Sequence, residues 1–258
     1  MSSDKATAVL AKGVVEFLGR ICNPAADEIG LLLQDKVRAY RNKNFESIAS
    51  KAEVKVNKNS RIEPTINPRL LYKIYEEGSW SESDNLQEMW AGLLSASCFD
   101  DRSDQNMIYV DLLSKMSSTE ARLFDFIARS TKWSINSSTA LPETNAIFPT
   151  IDMLKESCGI SDQDDLDECL THLSALGVIN FENYPDIDSY TSTAKEVFSD
   201  YDFDDFFAPD WSYSVELSLT QVGYRLFIKT TGESVGLRQY IQKNHTISQR
   251  NEEFEHGW

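Results

Sequence analysis

The sequence is short of the side chains and motifs that most enzyme chemistries need. Only three histidines occur in 258 residues, and two of them, His245 and His256, lie in the last stretch of the chain. No GxSxG elbow, P-loop, HExxH or GxGxxG is present, which takes away the usual footing for hydrolase, NTPase, zinc-protease and dinucleotide chemistry. Nuclease chemistry could draw on scattered acids, but no pattern marks which. The four cysteines, Cys22, Cys98, Cys158 and Cys169, are widely spaced and form no CxxC pair. That spacing fits reduced thiols in a cytosol better than a disulfide framework. Nowhere do about 18 apolar residues run uninterrupted, so a conventional membrane span is not expected. Met1–Lys5 is polar and no small-residue cleavage site follows an apolar run, so a signal peptide is not expected either. No catalytic residue, cofactor-binding residue or metal ligand is assigned, and the location expected is the cytoplasm.

What the chain has in excess is acid. The net charge is −16, and its distribution is uneven. Residues 1–69 hold 12 basic and 8 acidic side chains, whereas residues 70–116 hold 3 and 9. Residues 117–233 hold 7 and 21, and the remaining 25 residues balance at 3 and 3. A weakly basic head is joined to a strongly acidic body, which repels phosphate backbones and anionic lipid and attracts basic partners. Hydrophobic residues make up 41% of the chain and aromatics 11%, enough to build a packed core.

Helical periodicity dominates the pattern. Leu10, Val14, Phe17, Leu18 and Ile21 fall at helical spacing over Ala6–Ile21. Asn23-Pro24 starts a second helix to about Asn44, with Ile29, Leu32, Leu33, Val37 and Tyr40 on one face; Phe45–Ala52 is a candidate extension. A polar stretch with Pro64 and Pro68 predicts a linker over about 54–68. Helices follow over Pro68–Glu77, over Asp84–Ser97 with Trp90 and Leu93 on its apolar stripe, and over Asn106–Met116 with Ile108, Leu112 and Leu113 on one side. Ser117 followed by Glu120 reads as a capping box that opens a helix to about Lys132. Ser134–Pro149 reads as a loop, and Thr150–Cys158 as a short helix closed by Gly159. Asp162–Leu176 is a helix stopped by Gly177. Strands are expected over Val178–Glu182 and Val215–Leu219. The final helix covers Thr220–Thr230, capped by Thr220, with Val222, Leu226 and Phe227 turned inward.

The resulting fold class is mainly α with a small β-wing. A helical N-terminal region over 1–116 precedes a winged-helix-like domain over 117–233, which carries an acidic aromatic insertion over 183–213. A polar tail covers 234–258. The order helix–helix–helix–strand–strand–helix from Ser117 carries the winged-helix expectation.

Three stretches together carry a resemblance. They are Leu31–Arg41 with Asp35-Lys36-Val37-Arg38, then Leu86-Gln87-Glu88-Met89-Trp90-Ala91-Gly92-Leu93-Leu94 with the Asp100-Asp101 turn, and Leu112-Leu113-Ser114-Lys115-Met116-Ser117 leading into Ala121-Arg122-Leu123-Phe124. Over roughly residues 10–230 the chain resembles the abortive infection alpha family of bacterial phage-defence proteins. The resemblance implies defence against phage by halting growth of the infected cell, and it carries over no catalytic residues.

Each candidate site has a bland reading beside it. Trp90 and Leu93 read first as core packing and second as an interface anchor. Cys158, Cys169 and His172 lack the fourth ligand a zinc site needs, and Cys169 shares a face with Leu166, Leu170 and Leu173. A DNA-reading role for the winged module is opposed by Asp162, Asp164, Asp165, Asp167 and Glu168 on its expected recognition helix. No lysine or arginine lies between Lys155 and Lys195. Nucleic acid is therefore disfavoured as a partner.

Asn183–Tyr213 interleaves eight acidic residues with nine aromatics. Asp200, Tyr201, Asp202, Phe203, Asp204, Asp205, Phe206, Phe207 and Trp211 are the residues assigned to partner binding. The partner expected is a protein, basic in charge, of phage or host origin. The competing readings are an acidic surface loop pinned by its rings and a divalent-metal site, although the glycine and terminal glutamate of an EF-hand loop are missing. A second copy of the chain is a further candidate partner. Residues 6–40 offer a peripheral membrane contact as an alternative, against packing within the chain.

Overall fold

In a computed structural model of the chain the described residues are 36–58, 63–100, 103–135, 142–182 and 215–242. They are mostly helical, with small antiparallel strand pairs. The chain forms two compact units, one of Met1–Arg122 with Tyr224–Trp258 and one of Leu123–Gly223.

The first unit is built on α1 (Lys36–Lys58), α2 (Pro68–Gly78), α3 (Asp84–Ser97) and α4 (Met107–Ser114), with a short 3-10 turn at Ser103–Asn106 before α4. Helix α1 buries Phe45, Ile48, Ala49, Ala52 and Val56, a stripe at three- and four-residue steps. It runs to Lys58, so helix occupies the start of the stretch expected to be a linker. Val56 continues the buried stripe there, while Val54, 57% exposed, faces outward and Glu53 and Lys55 are half-buried. Helix α2 opens with Asn67, whose side chain accepts from the Arg69 N–H, and with Pro68 in its first turn. Helix α3 is capped by Ser83, which accepts from the Leu86 N–H. Every residue from Met89 to Ser97 is buried on it. In α4, Leu112 and Leu113 are buried as expected and Val110 joins them, but Ile108 is 50% exposed. Over eight residues α4 buries only part of its apolar surface, and Ile108 lies off the covered side.

The same unit takes in most of α8 (Gln221–Thr231) and the helical turn at 237–242. Tyr224, Leu226, Phe227 and Ile228 of α8 are buried, whereas Val222 is 37% exposed rather than inward. At about 100° per residue the buried arc is centred between Gly223 and Phe227, and Val222 sits at its edge. Gly92 lets α3 and α8 touch: a Cβ at Gly92 would lie 1.6 Å from the Thr230 carbonyl oxygen. Lys229 donates to Asp100 at 2.7 Å, and both side chains are nearly buried.

The second unit contains most of α5 (Ser118–Ser130), the pair β1 (Trp133–Ile135) and β2 (Pro142–Thr144), α6 (Ile151–Cys158), α7 (Gln163–Ala175), and the pair β3 (Ile179–Glu182) and β4 (Glu216–Leu219). The capping box read from the sequence is present. The Glu120 N–H donates to Ser117 Oγ at 3.1 Å and the Ser117 N–H to Glu120 Oε2 at 2.6 Å. Gly159 and Gly177 end α6 and α7 with φ of 74° and 70°. Thr220 caps α8 by accepting from the Gly223 N–H at 3.0 Å. The β1–β2 pair corrects the expectation of a loop over 134–149. Strands of three residues are too short to carry an alternation, so sequence periodicity misses them. Strand β3 pairs with β4 from Ile179↔Leu219 to Glu182↔Glu216, and Ile147 bridges Leu217 beyond them.

Candidate functional site

The turn between α2 and α3 organises the most elaborate side-chain cluster of the first unit. Arg41, on α1, donates to Ser79 Oγ and to the Glu76 carbonyl, both at 2.8 Å. Its guanidinium thereby satisfies a carbonyl that the end of α2 leaves unpaired. The same group lies 4.6 Å from the Trp80 ring and 5.3 Å from the Tyr75 ring, within cation–π range. Asn44 donates to the Ser79 carbonyl at 3.0 Å. Ser47 donates to Gln87 Oε1 at 2.7 Å, and Gln87 in turn donates to the Ser81 carbonyl at 2.9 Å. Trp90, 1% exposed, donates from Nε1 to Ser81 Oγ at 3.0 Å. Gly78 packs so closely that a Cβ would stand 3.0 Å from the Trp90 ring. These bonds fix the turn as a rigid platform, because each buried donor there has found its acceptor.

That platform forms one wall of a cleft of about 450 Å³. The buried apolar side chains Leu86, Trp90, Leu113 and Met116 are among its lining residues. Trp80, 53% exposed, and Tyr40, 39% exposed, supply aromatic surface. Among the described residues Glu77 and Glu82 supply the formal charges of the lining, and serines complete the rim. The Tyr40 phenol donates to Glu82 Oε1. That bond to a carboxylate, with some help from burial, holds the Tyr40 pKa above its usual value. The serine caps on either side are occupied, Ser83 by the Leu86 N–H and Ser117 by the Glu120 N–H.

The residues singled out in the sequence fall elsewhere. Asp200, Tyr201, Asp202, Phe203, Asp204, Asp205, Phe206, Phe207 and Trp211 lie outside the described residues, as do all but 36–40 of the stretch 6–40. Trp90 and Leu93 are core side chains, 1% and 0% exposed. Cys158 is buried and bonds through Sγ to the Leu154 carbonyl at 3.0 Å. Leu166, Leu170 and Leu173 form the covered face of α7, with Cys169 at its margin. Among the described residues no three His, Cys, Asp or Glu side chains gather as a metal site. At the start of α7 the capping residue Asp162 is exposed, as are Asp164, Asp165 and Glu168 on the helix, and Asp167 is half-buried.

Sequence reasoning missed Tyr40, Glu77, Trp80 and Glu82 as a group. Their only sequence signal is a tryptophan placed directly after the Gly78-Ser79 stop of α2, where a loop aromatic has no helical face to fill.

No curated protein and no solved structure matches the chain. The family model for abortive infection alpha matches residues 37–229, from the start of α1 through Lys229 of α8, and so takes in the α2–α3 platform, the capping box and the Lys229–Asp100 pair. With most of its length matched, the chain belongs to the abortive infection alpha family, and with it to abortive-infection-type defence.

Proposed function

We propose that this protein serves abortive-infection-type defence by contacting another protein in the cytoplasm, without chemistry of its own. The observation that carries the reading is electrostatic. Helix α7 and its capping residue present Asp162, Asp164, Asp165 and Glu168 to solvent, and no lysine or arginine follows until Lys195. Polynucleotide affinity rests on neutralising phosphates with basic side chains, which this face does not offer. A basic protein surface gains from the same field. The acidic aromatic segment 183–213, joined to β3 and leading to β4, adds eight carboxylates and nine rings to the same unit. Aromatic anchors flanked by charge are the composition of a protein-binding surface.

The test is affinity capture of the tagged full-length protein during phage infection, followed by capture with residues 184–212 replaced by a short glycine–serine linker. A basic protein recovered with the full chain and lost with the shortened one is the expected result. Loss of phage protection should accompany it. Full protection by the shortened chain would sink this assignment of the contact.

A further inference from the structure

We propose that the cleft beside the α2–α3 turn is a binding site for a single basic side chain, a lysine or arginine of a protein partner. The proposal rests on the protein-contact reading above and gives that partner a second point of engagement.

Among the described residues the lining contains two carboxylates, Glu77 and Glu82, and no lysine, arginine or histidine. Lys73, the cation nearest Glu77, is committed chiefly to Glu76 at 2.6 Å and stands 3.9 Å from Glu77. Rim serines and two helix starts would suit an anion in another setting. Here the caps are filled: Ser83 Oγ takes the Leu86 N–H, and Ser117 and Glu120 satisfy each other. A phosphate would meet two carboxylates and find those caps taken.

Shape and surface make the same selection. The exposed rings of Trp80 and Tyr40 offer apolar surface to the methylene stem of a long basic side chain. The wall carries Trp80, and the ring already attracts a guanidinium, since Arg41 lies 4.6 Å from it. With Arg41 in place Trp80 keeps 53% of its surface exposed. Tryptophan is the strongest cation–π partner among the side chains. The platform beneath is held by buried hydrogen bonds, so the site is formed before any guest arrives.

The experiment uses the full chain labelled with 15N-tryptophan. The capped tripeptide Ac-Gly-Lys-Gly-NH2 and its arginine counterpart are titrated against the norleucine tripeptide and against inorganic phosphate. The Trp80 indole signal is identified by its loss in Trp80→Leu. Both cationic peptides are expected to shift that signal saturably, with the norleucine peptide and phosphate leaving it in place. Glu77→Gln with Glu82→Gln is expected to weaken the cationic peptides about fivefold, the sum of two exposed ion pairs. Ser114→Lys changes an exposed rim position and should abolish the shift by placing a cation there. It serves as the independent variant should the double substitution disturb the fold, which the other indole signals report. Equal shifts by the norleucine peptide, a shift by phosphate, or undiminished binding in Ser114→Lys overturns the proposal. Cationic binding intact with no protein captured during infection defeats the protein-contact reading instead, so the two failures are separable.

Discussion

At Gly92 a single hydrogen atom decides whether α3 can meet α8. A methyl group there would stand 1.6 Å from the Thr230 carbonyl oxygen, which is backbone and cannot swing aside. Gly92→Ala is therefore expected to destabilise the protein by about 3 kcal/mol, read from urea unfolding, because the helices must separate. Gly177→Ala is the contrast. Its φ of +70° strains an L-residue, yet nothing lies within 4 Å of the added carbon, so a loss of about 1 kcal/mol is expected. Glu46 offers a test by pH. Burial holds its carboxyl above the usual value. The folded chain then binds that proton more tightly than the unfolded chain. The corresponding stability is complete at acid pH and is lost as pH rises through the raised value. Glu46→Gln should raise the melting temperature at pH 7 and change it little below about pH 4. Equal effects at both pH values would rule out desolvation as the cause.

Among the helices and strands, what was legible in the sequence was what is local. Ser117 and Glu120, Gly159, Gly177 and Thr220 all perform the terminal roles their spacing announced, because a cap needs only its own helix. Ser117→Ala is accordingly expected to cost about 1 kcal/mol in chemical denaturation. Less legible were features that depend on distant partners. Ile108 and Val222 are apolar and helical but remain 50% and 37% exposed. The β1–β2 pair is too short to show a period. The Lys229–Asp100 ion pair joins residues 129 positions apart, and neither side chain alone suggests it. Asp100→Ala should cost about 3–5 kcal/mol by leaving the ammonium buried without its carboxylate. Lys229→Met combined with Asp100→Leu should recover most of that loss, and a failure to recover would mean that the pair holds more than its own charge.

For the chain taken together, the helix-rich class was readable from periodicity along the sequence and the family from three stretches, of which the Leu86–Leu94 run lies in the buried helix α3. The cleft was not readable, because its parts come from Tyr40, from the turn after Gly78 and from the start of α5, each of which looks ordinary alone. The charge division of the chain makes a prediction of its own. Capture of a basic partner should weaken as salt is raised from about 0.05 to 0.5 M, since exposed charges separated by more than a Debye length are screened. The membrane alternative through residues 6–40 predicts leakage of anionic vesicles by the purified protein. Among the described residues no helix is long and apolar enough to cross a bilayer. Vesicles that stay sealed would remove that alternative.

The contact at Gly92 also sets an order of events during synthesis. Leu123–Gly223 forms a unit whose residues leave the ribosome consecutively, whereas the unit holding Gly92 draws on chain beyond Tyr224. Translation emits residues one after another, so α3 must wait, with its glycine notch uncovered, until Thr230 has been made. A message broken after codon 223 would release a protein whose intervening unit is whole and whose first helices lack their closing strut, a product that quality-control proteases should clear quickly.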